Sequence, residues 1–260
     1  MSSQDALSNV KVLCFDVGNT LVGFGNDQAR VVDAHIKNTL RNVLNIPCSD
    51  DQYNKSWVEE IERPFQKGVD FFENSIDVNY RMMISQLCEL TNIEEPVISD
   101  EELSRLCDLR RDAFSDSVAM LPETPAVLQA LKDKGYILCV FSNYPCGQTV
   151  RDIITKSGTN HLFDFVIASG DFNRVKPHAS VFEEVASRVK EAHGYNKSEI
   201  MYVGDTPLCD IVGPLNAGFG AACLYTRYKL YDSRDYSYLG MKNYEPTIIV
   251  ENFSELLEHL

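Results

Sequence analysis

Asp16 follows the apolar run 10–15 (VKVLCF) and opens the turn Val17-Gly18-Asn19-Thr20. A carboxylate at the end of a buried strand can be held by turn amides and used as a covalent nucleophile or as a metal ligand. Ser142-Asn143 follows a second apolar run, 136–141 (YILCVF). A hydroxyl and an amide can bind phosphoryl oxygens without adding charge. Lys176, in Arg174-Val175-Lys176-Pro177-His178, offers an ammonium that can neutralise a nucleophile and a transferred anionic group. Gly204-Asp205-Thr206-Pro207-Leu208-Cys209-Asp210 adds two acids after the run 200–203 (IMYV). At that spacing both can face a hard cation such as Mg²⁺, which favours carboxylate and carbonyl oxygens. Each part also has a plainer reading. Asp16 can be a turn carboxylate, Ser142-Asn143 a polar turn and Lys176 a solvated lysine. Asp210 can complement a helix dipole.

The elements that carry these residues repeat one grammar. The three runs, and a fourth at 165–168, are short, apolar and closed by polar residues, as buried parallel strands are. Helical spacing alternates with them. Val127, Leu128 and Leu131 mark a helix over 125–134, stopped by Gly135. Val181, Phe182, Val185, Ala186 and Val189 mark one over 180–192, and a third spans 208–217. Alternation of this kind predicts an α/β fold with a doubly wound, Rossmann-like parallel sheet. Ligands of such sheets bind outside the carboxyl ends of the strands. Asp16, Ser142, Asn143 and Asp205 all fall there and are expected to converge.

From Gly23 to Ser117 the pattern is helical throughout. Val32, Ile36, Leu40, Val43 and Leu44 keep helical spacing, as do Tyr80, Met83, Ile84, Leu87 and Cys88, and then Leu103, Leu106, Leu109 and Phe114. This predicts an all-α cap over 23–117, inserted into a core formed by 1–22 and 118–260. Trp57, Phe65, Phe71 and Phe72 are candidates to line a pocket beneath it, or to fill its own core. The six tyrosines between Tyr225 and Tyr244 read as a surface loop. Thr247 to Val250 reads as a last strand, and Phe253 to Leu260 as a closing helix.

Bulk composition narrows the function classes. The 260 residues are 44% hydrophobic and 24% charged, as in a globular protein. A net charge of −14 repels phosphate backbones and argues against nucleic-acid partners. No window has the apolar length of a membrane span. The start MSSQDALSNV lacks the pattern of a signal peptide, so a cytoplasmic location is expected. The eight cysteines show no CxxC pair, and Cys14, Cys139 and Cys223 sit in apolar runs as small hydrophobes.

In order and spacing, Asp16, Ser142-Asn143, Lys176-Pro177 and Gly204-Asp205 with Asp210 resemble the haloacid dehalogenase-like hydrolase superfamily. Leu215-Asn216-Ala217-Gly218 is similar to that family as well. The position of the helical block resembles the subfamily of phosphoglycolate phosphatase and the 2-haloacid dehalogenases. The resemblance implies that Asp16 is the nucleophile forming an aspartyl-phosphate. It implies that Ser142, helped by Asn143, binds the phosphoryl group, and that Lys176 stabilises its charge. It also implies that Asp16, Asp205, Asp210 and the Gly18 carbonyl hold Mg²⁺. The implied partner is a small phosphorylated substrate.

One position departs from the family pattern. Family phosphatases carry a second aspartate two residues after the nucleophile, and here that residue is Gly18. General acid–base catalysis is worth about 10² to 10⁴-fold. Three readings stay open. The first is a phosphatase with altered proton transfer, with Asp27 or His178 as a substitute acid or an acyl phosphate as substrate. The second is a catalytically weak protein that binds a ligand or a protein. The third is a 2-haloacid-type dehalogenase, whose halide leaves without a proton.

Overall fold

A computed structural model describes residues 3–23, 26–62, 76–172, 174–227 and 235–260. Six strands form one parallel sheet: β1 (Val12–Phe15), β2 (Ile137–Ser142), β3 (Phe165–Ala168), β4 (Ile200–Gly204), β5 (Ala221–Tyr225) and β6 (Ile248–Val250). Their order is β3-β2-β1-β4-β5-β6, so the winding reverses beside β1. β1 is in register with both neighbours: Phe15 lies opposite Val140 on one side and Val203 on the other. Asp16, Ser142 and Asp205 therefore leave the sheet at the same edge, at the reversal where doubly wound sheets form their ligand crevice.

The run VLCF is apolar at every position because both faces of β1 are covered. Successive side chains point to opposite faces. Val12 and Cys14 pack with Cys139, Phe141, Tyr202 and the helix Ala179–His193. Leu13 and Phe15 pack on the other side with Val140, Val203, Leu128, Ile154 and Phe253. The Phe15 ring lies 6.4 Å from that of Phe163 and 5.9 Å from that of Phe253.

Between β1 and β2 the described chain is helical: Asn26–Asn42, Asp50–Tyr53 running into wider π-type turns over Asn54–Glu62, Ile76–Thr91 and Asp100–Ser117. Their apolar faces join the core on the Phe15 side of the sheet without a break. Ser49 and Ser99 each start a helix with reciprocal side-chain caps, paired with Gln52 and Glu102. The first helix ends at Asn42, so Val43 is exposed rather than in the apolar stripe. Phe65, Phe71 and Phe72 lie outside the described residues. Among the described residues no helix is long and apolar enough to cross a membrane.

Two departures from sequence expectation concern the far edge of the sheet. β5 reads AACLY, and its small residues lack the β-branched signal that marks strands. Tyr225, expected in a surface loop, closes β5 and is 1% exposed, with its ring 5.7 Å from Phe253. Tyr228 and Tyr231 lie outside the described residues.

Phe15 sits at the centre of the larger core. Phe15→Ala is expected to cost about 3–5 kcal/mol of stability in urea unfolding. A loss below about 1 kcal/mol would contradict the close packing of its ring against Phe163 and Phe253.

Candidate active site

The turn after β1 folds tightly around one carbonyl. The N–H groups of Leu21 and Val22 donate to Val17 O at 3.0 Å, and Asn19 takes the left-handed conformation at φ 57°. The backbone N–H of Asp16 donates to Val203 O at 2.9 Å, which extends the β1–β4 ladder by one residue. The Asp16 carboxylate is thus fixed at the end of the sheet, its side chain 12% exposed.

Lys176 comes to it from the other side. Its side chain is 2% exposed, so this is not a solvated lysine. The ammonium donates to Asp16 Oδ1 at 3.0 Å, to Asp210 Oδ1 at 2.7 Å and to Tyr202 Oη at 2.8 Å, which uses all three of its protons. Burial by itself pushes Lys176 down. The Asp16 and Asp210 carboxylates outweigh that and hold it well above the usual lysine range. Tyr202 Oη donates in turn to Phe141 O at 2.5 Å. Burial, with Asp210 and Asp16 nearby, pushes the tyrosine pKa up and keeps that proton in place.

Asn143 fixes the lysine backbone. Its Oδ1 accepts from Lys176 N–H at 2.8 Å, and its Nδ2 donates to Lys176 O at 3.1 Å. The Asn143 side chain is therefore engaged with the protein itself. Ser142, one residue earlier at the end of β2, is 6% exposed and lines the same cavity.

Asp205 directly follows β4, and the chain then turns into Pro207–Val212. Asp210 has both oxygens engaged: Oδ1 with Lys176, and Oδ2 with the Thr206 N–H at 2.8 Å. This close approach needs Gly204, where a Cβ would lie 2.4 Å from Asp210 Cγ. Burial, with the pull of Lys176 against it and Asp16 and Asp205 adding to it, moves the Asp210 carboxyl up to about 7. Thr206 Oγ1 donates to Asp205 Oδ1 at 3.0 Å.

Asp16, Asp205 and Asp210 each present one oxygen atom, and these lie within 4.8 Å of one another. Three buried carboxylates meet one ammonium there. Such a hard, oxygen-only and net negative donor set fits a divalent cation of the Mg²⁺ type.

Asp16 and Asp210 open onto a cavity of about 470 Å³. Asp16, Gly18, Ser142, Asn143, Lys176 and Asp210 line it from the sheet side, and Trp57, Asn79, Arg110 and Phe114 from the inserted helices. A Cβ at Gly18 would meet nothing within 4 Å. The side chain of Asp27 lies outside the described residues. His178 is exposed and caps the helix Ala179–His193, its Nδ1 accepting from Ser180 N–H at 3.2 Å. It is not among the residues that line the cavity.

Sequence reasoning missed three members of this site. Tyr202 reads as one more apolar strand residue, and only its hydroxyl partners reveal its part. Thr206 sits inside a recognised stretch but has no signal of its own. Arg110 did leave one. The buried face of its helix runs Leu103, Leu106, Arg110 and Phe114, while Leu109, expected on that face, is only half-buried.

The lysine is the counter-charge for the cluster. Lys176→Met is expected to cost about 3–5 kcal/mol in denaturant unfolding with EDTA present, because it leaves buried carboxylates uncompensated. A cost below about 1 kcal/mol would mean that water already screens these charges.

Comparison with known proteins gives the family and the fold. The family model for haloacid dehalogenase-like hydrolases matches residues 10–218. A phosphoglycolate phosphatase of Haemophilus influenzae is 25% identical over 142 residues, covering 54% of this chain and 57% of that protein. A glyceraldehyde 3-phosphate phosphatase of Methanothermobacter thermautotrophicus is 35% identical over 102 residues, covering 38% and 42%. These matches span about half the length of either relative. The fold is that of a 2-haloacid dehalogenase from Pseudomonas syringae, with a TM-score of 0.69 at 22% identity over 96% of this chain and 97% of that one. From its matched length and its fold, this chain is a member of the haloacid dehalogenase-like hydrolase family.

Proposed function

We propose that the protein is a Mg²⁺-dependent phosphatase of small phosphorylated metabolites, acting through an aspartyl-phosphate on Asp16. The observation that carries this reading is the buried Asp16–Lys176–Asp210 cluster facing a cavity of substrate size. The phosphatase relatives support it. Residues 23–117 act as a lid over a core of 1–22 and 118–260.

In this reading an Asp16 oxygen attacks phosphorus, and the bond from phosphorus to the ester oxygen breaks. Lys176 orients the attacking carboxylate and offsets the charge at the reacting centre. Ser142 donates its hydroxyl to a phosphoryl oxygen, and the Asn143 backbone amide helps, its side chain being held by Lys176. Water then attacks the acyl phosphate, which releases phosphate and restores Asp16. Asp16, Asp205, Asp210 and the Gly18 carbonyl are the residues that would hold Mg²⁺. When bound, the ion supplies positive charge to the phosphoryl oxygens and to the carboxylate cluster.

The leaving oxygen needs a proton, and Gly18 has none to give. Good leaving groups, such as the carboxylate of an acyl phosphate, are therefore favoured over simple alkyl esters. A dehalogenase needs neither the Asp205–Asp210 pair nor a metal, so that reading is not supported by the acidic cluster.

Phosphate release from a panel of alkyl and acyl phosphates, with Mg²⁺ and with EDTA, tests the proposal. Turnover is expected with Mg²⁺ only, and Asp16→Asn is expected to abolish it. No turnover from folded protein with any substrate would leave a ligand-binding protein. The open space at Gly18 gives a second test. Gly18→Asp is expected to speed alkyl ester hydrolysis by about 10-fold or more and to change acyl phosphate hydrolysis little. An equal effect on both would remove proton transfer as the limiting term. Independently of turnover, Mg²⁺ is expected to raise the melting temperature by binding the native state, and Asp205→Asn to remove that shift.

A further inference from the structure

The wall of the cavity formed by the inserted helices carries a cation of its own. Arg110, on the helix Asp100–Ser117, is 8% exposed and lines the same cavity as Asp16, Ser142 and Lys176. It occupies a helix face whose other members, Leu103, Leu106 and Phe114, are buried and apolar. A guanidinium is costly in such a place unless something compensates it. Part of the compensation is Trp57, whose ring centroid lies 4.3 Å from the guanidinium carbon.

Trp57 supplies an independent observation. It is 2% exposed and lines the cavity, and its indole N–H is buried with no hydrogen-bond partner among the described residues. A buried donor left unmade costs its full desolvation, which an acceptor from a ligand would recover. Phe114, one turn after Arg110 on the same helix, packs its ring 5.0 Å from that of Tyr144. Tyr144 directly follows Ser142-Asn143. Arg110 thus stands four residues, about 6 Å along the axis, from where its helix meets Tyr144.

We infer that Arg110 and the Trp57 indole N–H form a subsite for a second anionic oxygen group of the substrate. That group is a carboxylate or a second phosphate, joined to the scissile phosphate by a short aliphatic spacer. The inference rests on the reading of the Asp16 site as the phosphoryl site. Arginine suits this part because its planar fork binds a carboxylate or phosphate through two parallel N–H donors. Apolar groups that line the same cavity, Val22 and Ile153 among them, suit the spacer. A local cation also offsets the repulsion that a net charge of −14 exerts on a doubly anionic ligand.

Trp57 is the chain's single tryptophan, so its fluorescence reports on this subsite alone. The experiment titrates the protein, with Mg²⁺, with three non-hydrolysable ligands: 3-phosphonopropionate, 1,3-propylenebisphosphonate and propylphosphonate. At least one doubly anionic ligand is expected to bind roughly 10- to 100-fold more tightly than propylphosphonate and to shift the emission. Which of the two binds better identifies the second group. Arg110→Met is expected to erase the preference, while Arg110→Lys keeps part of it. Equal affinities of all three ligands for the wild-type protein overturn the inference, whether or not the variants fold. So does a preference that survives in Arg110→Met, or no binding of any ligand by protein that releases phosphate. Discriminating binding without turnover refutes the phosphatase reading and leaves the subsite standing.

Discussion

The Lys176 ammonium is enclosed by Asp16, Asp210 and the Tyr202 hydroxyl, and the rest of the site is built around keeping it there. A lysine at 2% exposure survives as a cation only if its partners are fixed before it arrives. The sheet fixes Asp16 and Tyr202 on adjacent strands. The tight turn at Gly204 fixes Asp210. Asn143 clasps the lysine backbone at two points. Loss of any of these leaves a buried charge or a buried polar group without its partner, which is why residues far apart in the chain act as one unit.

Topology explains why they meet. In the order β3-β2-β1-β4-β5-β6 the strand β1 has neighbours on both sides, and the winding reverses beside it. The first, second and fourth strands therefore end side by side, and their terminal polar residues face one crevice. Parallel strands buried on both faces need continuous apolar runs. The first polar residue after each run is then the first that can reach solvent or a substrate.

The inserted helices complete the chamber and give it a different character. The sheet side presents acids, a hydroxyl and an ammonium. The helical side presents an indole, a phenyl ring and a guanidinium on a mainly apolar surface. In the proposed reading, binding of a substrate body and reaction at its phosphate fall to separate parts of the chain. Gly18 stands on the sheet side with open space before it, so the missing carboxylate reflects the residue and not a filled site. In the proposed reading, this position bears on which leaving groups the protein can handle.

The sequence by itself determined the parallel strands that carry the site, the helices Thr124–Asp133 and Ala179–His193, the helical insertion and the identity of the acids, because each rests on local periodicity or on a strand-ending polar residue. β5 escaped because its alanines give no strand signal. Only the tertiary structure decided that the Asn143 side chain serves Lys176 and that Tyr202 is a polar member of the cluster. It also turned Arg110, rather than Leu109, toward the cavity and placed His178 at a helix cap. The contacts of Lys176 join atoms 26 to 160 positions apart in the chain. Periodicity says which face of an element is buried, and the packed structure alone says what that face touches.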